Sequence, residues 1–303
     1  MKRPLTALVL SLLGGVTALA SSQELSPGVL EYVAVIGPEI ALTNVRIVDG
    51  TGAPAVEDQT ILIRDGRIVA IDDAGSVPMS MDTEVVDLAG HTVIPGLVGV
   101  HDHSYYTTSV RAVQMSYTGP RLYLAAGVTT IRTTGSQEPY AEINLKRAIE
   151  AGQVPGPRMF VTGPYLTGEH GSMTMALLNG PEDARRVVRY WAEEGVDWFK
   201  AYTWISREEL AAAIDEAHKH GVKVTAHLCS VSFREAVELG IDNIEHGLLT
   251  NSDYDETREP DACSPNLMSS VAELEMDSDE VQATFRAMNE AGVAMTATPV
   301  VFE

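Results

Sequence analysis

Between residues 40 and 95, apolar and polar positions alternate with a period of two, as half-buried strands require. Ala41 to Val48, Thr60 to Arg64 and Arg67 to Ile71 each keep this alternation, and Asp49-Gly50 and Asp65-Gly66 supply turn chemistry between or after them. The pattern predicts a small antiparallel β unit that ends with Thr92-Val93-Ile94, just before the break at Pro95-Gly96. Beyond that break the rhythm changes to short apolar runs separated by helical spacing. Ala184, Val187, Val188 and Trp191 fall at i, i+3, i+4 and i+7 behind Pro181; Leu210, Ala213, Ile214 and Ala217 repeat the spacing behind the capping box Ser206-x-x-Glu209. Val281, Phe285 and Met288 mark a third amphipathic helix. Gly127-Val128, Gly195-Val196, Gly221-Val222, Gly240-Ile241 and Gly292-Val293 each join a helical segment to an apolar run, with glycine as the left-handed cap.

Repeated strand–helix units imply a parallel sheet with right-handed crossovers, closed as a barrel or left open as a doubly wound sheet. No glycine-rich phosphate loop follows the first strand, which disfavours the nucleotide-binding form and leaves a TIM-type barrel as the expected α/β fold. Strands are expected near 97–101, 128–133, 157–163, 196–201, 222–227, 241–246 and 293–298. A closed (β/α)8 barrel has eight. The expectation is therefore a C-terminally truncated barrel over residues 96–303, preceded by a partial β-sandwich domain within residues 21–95.

The first twenty residues read as a signal peptide: Lys2-Arg3, an apolar run from Leu5 to Ala20, and the small-x-small pattern Ala18-Leu19-Ala20. The run is short for a membrane span. Export to the periplasm or the exterior is expected, with no membrane attachment after cleavage. Composition adds little else: 45% hydrophobic and 21% charged residues are those of a soluble globular protein. The formal net charge of −21 argues against a nucleic-acid partner, which needs clustered Lys and Arg. An oxidising compartment permits a disulfide between the two cysteines. Cys229 lies two residues past His227 and Cys263 in the loop after the neighbouring strand, so both belong to one face of the barrel and a bond between them is expected.

Candidate chemistry gathers where the apolar runs end. His101 and His103 are two apart on strand one and so point the same way. Strand four ends in Phe199-Lys200, strand five in Ala226-His227 and strand six in Glu245-His246. Barrel active sites lie at these C-terminal strand ends. Neutral imidazoles suit zinc and similar divalent ions, and paired ions in two-metal sites stand about 3.5–4 Å apart. A lysine between two cations repels as an ammonium, but as a CO2-derived carbamate it offers an anionic bridge.

This set resembles the amidohydrolase superfamily. Ile94 to His103 and Ala126-Gly127-Val128-Thr129-Thr130 are similar to its imidazolonepropionase-like and Xaa-Pro-dipeptidase-like members. The resemblance covers nearly everything from residue 40 onward. It implies that His101 and His103 hold a more buried metal ion, that His227 and His246 hold a more exposed one, and that carboxylated Lys200 bridges the two. A metal-bridging hydroxide would then attack the scissile carbonyl, with an Asp at the end of strand eight handling the proton; no residue here matches that Asp. Arg132-Thr133 stands where many relatives read Arg-Asp. His170, in Gly168-Glu169-His170-Gly171, resembles a substrate-contacting histidine, and Tyr202 could meet a substrate carboxylate. The long polar segment from Gly247 to Ser278 is a candidate lid.

The resemblance implies an enzyme that cleaves a C–N amide-type bond in a dipeptide, N-acyl amino acid or cyclic amide, with two zinc ions as expected cofactors and a small-molecule or short-peptide substrate. The same chemistry serves a lactone or ester hydrolase, and a metal-holding binding protein without turnover is the alternative of a different class. The 303-residue chain, lacking the eighth strand, is expected to be inactive as it stands.

Overall fold

The computed structural model describes residues 24–107, 112–172 and 174–299. The expected signal peptide, residues 1–20, lies outside them. Among the described residues no helix is long and apolar enough to cross a membrane. A one-turn helix, α1 (Pro27–Leu30), is tied by the Ser26 amide to the Gly152 carbonyl at 2.9 Å. The small sheet follows: β1 (Glu39–Ile47), β2 (Val56–Arg64), β3 (Arg67–Asp73), β4 (Glu84–Asp87) and β5 (Thr92–Val93), ordered β3-β2-β1-β4 with β5 also beside β1. Its first three strands are antiparallel neighbours, as expected. The last two run parallel to β1, which corrects the expectation of a purely antiparallel unit. After β3 the chain crosses to the far side of β1 and so arrives in its direction, which a tight hairpin cannot achieve.

The second region is an α/β succession. Strand β6 (Leu97–Asp102) leads into the hairpin β7 (Tyr105–Thr107) and β8 (Ala112–Gln114). Then come α2 (Thr118–Ala125), β9 (Val128–Thr133), α3 (Pro139–Glu150), β10 (Arg158–Phe160), β11 (Thr162–Thr167) and the short β12 (Ala176–Leu177). Next are α4 (Pro181–Glu194), β13 (Trp198–Ala201), α5 (Arg207–Lys219), β14 (Lys223–Ala226), α6 (Phe233–Glu238) and β15 (Asn243–Glu245). The described chain closes with α7 (Leu267–Ala272), α8 (Asp279–Ala291) and β16 (Ala294–Thr296).

Parallel pairing runs β6-β9-β10 and then β12-β11-β13-β14-β15-β16. β10 and β11 follow each other with only Val161 between them, so strands occupy the seven places the sequence indicated, with the third running on to Thr167. Among the described residues no pairing joins β6 to β16.

Strand periodicity sorts the side chains. Phe199, Val224 and Ile244 join Val188, Leu210 and Phe233 in one large core between strands and helices. Burying a side chain such as Phe199 contributes about 1.5–3 kcal/mol. Their strand neighbours Lys200, Thr225, Asn243 and Glu245 are buried too, on the opposite, inner face. The Ser206–Glu209 capping box opens α5 as expected, and all five junction glycines take positive φ.

The segment expected to be a lid is fastened down instead. Cys229 and Cys263 form a disulfide with their Cα atoms 4.9 Å apart. Asp261 accepts from the Arg207 amide at 2.6 Å and Asp253 from the Arg234 amide at 3.1 Å, so the loop carboxylates satisfy the orphan donors that open α5 and α6.

Candidate metal centre

Register builds the inner face. Tyr165 pairs with Lys200, Lys200 with Thr225 and Thr225 with Asn243 across successive parallel strands, so one row of side chains shares one level. His227 and His246 follow directly on β14 and β15, and their amides extend the ladders to the carbonyls of Ala201 (3.0 Å) and Thr296 (2.7 Å). His101 lies in β6 and His103 just after it. The four imidazoles, from separate parts of the sequence, form a contiguous run. Ring centroids are 5.3 Å apart for His103–His101, 4.7 Å for His101–His246 and 4.6 Å for His246–His227. His246 reaches this position through a left-handed backbone, φ 72°, an uncommon state for a side chain other than glycine. At Gly99 a Cβ would stand 1.9 Å from the Asp102 carboxylate, so a larger residue there would push the Asp102 side chain out of its place.

Burial sets the protonation states. It is the main cause lowering Lys200 to about 7, opposed by the Glu245 carboxylate and assisted by Arg132. Burial, followed by the nearby Lys200 charge, likewise lowers His103 and His227 to about 4 and His246 to about 3. These three rings are therefore neutral at pH 7. Glu245 goes the other way: burial alone would raise it, but the His101 hydrogen bond, the charges of Lys200 and Arg132 and the Thr225 hydroxyl hold it at about 2.

Glu245 and Arg132 are site residues that the sequence reading did not assign. The Glu245 carboxylate is fully buried and accepts from His101 Nδ1 at 2.8 Å and from Arg132 at 2.6 Å. His246 Nδ1 in turn lies 2.7 Å from the Thr298 hydroxyl. With His101 Nδ1 on the Glu245 carboxylate, Nε2 is the remaining nitrogen of that ring.

Three phenols flank the histidines. The Tyr105 ring is 5.0 Å from His103, its hydroxyl meets that of Tyr165 at 2.5 Å, the Tyr165 ring is 5.2 Å from Tyr202, and Tyr202 is 4.8 Å from His227. Burial raises all three phenols, which keeps them neutral donors. Gly135 makes room for this arc, since a Cβ there would stand 2.3 Å from the Tyr165 ring. Tyr202 thus stands beside the expected ligands. His170 does not share these ring contacts: its side chain is 66% exposed, packs edge-on to Trp204 at 5.3 Å, and lines a separate cleft of about 290 Å³ with Glu169 and Asp261. A cleft of about 510 Å³ opens onto His101, His103 and His246. A larger one, about 690 Å³, lies at the opposite strand ends among Val98, Phe160 and Lys223 and holds none of the histidines.

Among the described residues no three His, Cys, Asp or Glu side chains are drawn together as a ready metal cage. The donor set fits a divalent metal by its chemistry. Three imidazoles are neutral, and His101 and His246 have Nδ1 already engaged. Lys200 adds a fifth donor of another kind.

The sequence matches the amidohydrolase family over residues 92–299. It is 26% identical over 212 residues to an enamidase from Eubacterium barkeri, covering 66% of this chain and 52% of that protein. It is 31% identical over 213 residues to an uncharacterized protein of Mycobacterium bovis, covering 66% and 54%. The chain thus spans about half the length of the curated relatives it matches. A provisionally assigned prolidase from Bifidobacterium longum superposes with a TM-score of 0.62 at 25% identity, over 88% of this chain and 75% of that one. A Xaa-Pro dipeptidase solved with methionine in its active site gives 0.61 at 19% identity, over 86% and 79%, a likeness of fold alone. These neighbours share a TIM-barrel-like α/β fold, and the chain belongs to the amidohydrolase family.

Proposed function

We propose that this chain carries the site of a metal-dependent hydrolase that cleaves a C–N amide-type bond in a small molecule or short peptide. The observation that carries the reading is the run of four contiguous imidazoles beside buried Lys200. In it His101 and His103 would hold one divalent ion and His227 and His246 a second, with zinc the expected metal. Lys200, drawn down to about 7, has a substantial fraction of neutral amine at physiological pH, the form that would add to CO2 and release a proton to give an anionic carbamate able to ligate metal. Such a pair of ions supplies Lewis acidity and lowers the pKa of water towards neutrality. The protein's own part is to keep the imidazoles neutral, to fix their orientation through Glu245 and Thr298, and to offer Tyr105, Tyr165 and Tyr202 as uncharged donors beside the substrate. The names of the enamidase and prolidase relatives support a C–N bond as the target. The Cys229–Cys263 bond supports a location outside the reducing cytoplasm.

The test is elemental analysis of the purified chain together with hydrolysis of dipeptides, N-acyl amino acids, cyclic amides and lactones, with and without chelator. The expected result is about two divalent ions per chain and chelator-sensitive amide cleavage. Failure to retain added zinc with all four histidines intact would overturn the reading. Cleavage of lactones alone would shift it to an ester-type hydrolase.

A further inference from the structure

We infer that Glu245, braced by Arg132, is the positioning residue that sets the tautomer of His101; the inference rests on the reading of His101 as a metal ligand. The two carboxylate oxygens are used unequally. Oε1 accepts from Arg132 Nη2 (2.6 Å), Thr225 Oγ1 (2.6 Å) and Asn243 Nδ2 (2.9 Å). Oε2 accepts from His101 Nδ1 (2.8 Å). Three donors claim one oxygen, so the carboxylate cannot rotate without leaving buried N–H and O–H groups unsatisfied. The other oxygen is thereby aimed at the imidazole.

Arg132 closes the device from both sides. Its Nε donates to the Val100 carbonyl at 2.8 Å, the residue before His101, while its Nη2 holds Glu245 and its plane lies over the Trp198 ring at 4.5 Å. One guanidinium therefore fixes the backbone of β6 and the carboxylate that grips the next side chain. The contributing groups come from β6, β9, β13, β14 and β15, so the arrangement exists only once these strands are assembled. A carboxylate can only accept, so His101 carries a proton on Nδ1, and of its two nitrogens only Nε2 can offer a lone pair to a metal.

Glu245→Gln tests this through a defined conflict. A carboxamide has one oxygen, and the three donors on the Oε1 side claim it. The amide NH2 then faces His101 Nδ1, which must accept, and the proton moves to Nε2, where it blocks the metal. The full chain, labelled with 15N-histidine, is examined in metal-free form at pH 8 by long-range proton–nitrogen correlation, and zinc affinity is measured by chelator competition. The wild type is expected to show His101 as the Nδ1–H tautomer. Glu245→Gln is expected to move it to Nε2–H and weaken zinc binding about 10–100-fold. Thr225→Val, which removes one Oε1 donor and leaves the His101 bond, is expected to keep the wild-type tautomer. An Nε2–H tautomer in the wild type overturns the inference, a result that requires no variant to fold. So does a folded Glu245→Gln protein with unchanged tautomer and zinc affinity, which would make Glu245 a structural group only. A tautomer change in a protein that never binds zinc would uphold the role of Glu245 and defeat the metal reading instead.

Discussion

Glu142 offers a quantitative test of how the site's surroundings are built. It sits in the first turn of α3 with no exposed surface. Neither carboxyl oxygen has a partner at hydrogen-bonding geometry, although Ser104, Thr133, Ser136 and Gln114 stand near enough to favour the charged form slightly. Burial prevails and raises the acid to about 7 from its ordinary 4.5. Between those values the native state holds a proton that the unfolded chain has released. Stability must therefore fall as pH rises from about 4.5 to about 7 and stay low above it. The interval corresponds to about 3 kcal/mol. Glu142→Gln keeps the shape and removes the ionisation, so the variant should lack this loss. Urea unfolding of both proteins at pH 4 and pH 8 supplies the measurement. The stability difference, variant minus wild type, should grow by about 3 kcal/mol between the two pH values, other titrations cancelling. A difference constant across that range would show that the carboxyl is solvated or paired, and the argument from burial would fail.

Lys200→Ala should strip most of the bound metal and Lys200→Glu should retain part of it, because a carboxylate replaces the proposed bridge; equal metal content in the Ala variant, by elemental analysis, would remove Lys200 from the site. Replacing both Cys229 and Cys263 with Ser opens a ring of sequence separation 34 and should cost about 4 kcal/mol through chain entropy, read as a lower thermal midpoint; an unchanged midpoint would show that the loop is held by its carboxylate caps alone. Phe199→Ala, at the centre of the strand–helix core, should cost about 3–5 kcal/mol in denaturant titrations, and a cost under about 1 kcal/mol would mean the core collapses around the gap.

What the sequence made legible follows from local rules. The glycine junctions marked where helices end because a left-handed cap is a single-residue requirement. The His-x-His spacing and the strand-end positions of Lys200, His227 and His246 were readable because strand side chains alternate and barrel chemistry sits at strand ends. The disulfide was readable because both cysteines follow neighbouring strands. The parallel course of β4 and β5 was not, since pairing direction depends on where the chain has travelled, and Glu84-Val85-Val86-Asp87 is too short to carry a periodic signal. Glu245 was seen only as the residue before His246. Strict alternation would put neighbours on opposite faces, and the positive φ of His246 that lets both serve one site leaves no mark in composition. Its partners arrive from four strands, and no local spacing encodes that meeting. Glu142 was hidden for a similar reason: a carboxylate in a first helical turn usually reads as a solvated, dipole-matched charge.

The covalent ring closed by Cys229 and Cys263 has a kinetic consequence for the histidines. β15 and His246 lie inside that ring, and His227 sits two residues outside its mouth. Should β15 fray, a short tether keeps His246 near His227, and their mutual effective concentration stays high. An ion shared by this pair would be recaptured faster than it could diffuse away. His101 lies outside the ring and is joined to it through the Glu245 carboxylate, which the ring contains. If the proposed metal pair forms, reducing the Cys229–Cys263 bond should speed its loss, read as faster transfer of zinc to a chelator from the reduced protein than from the oxidised one.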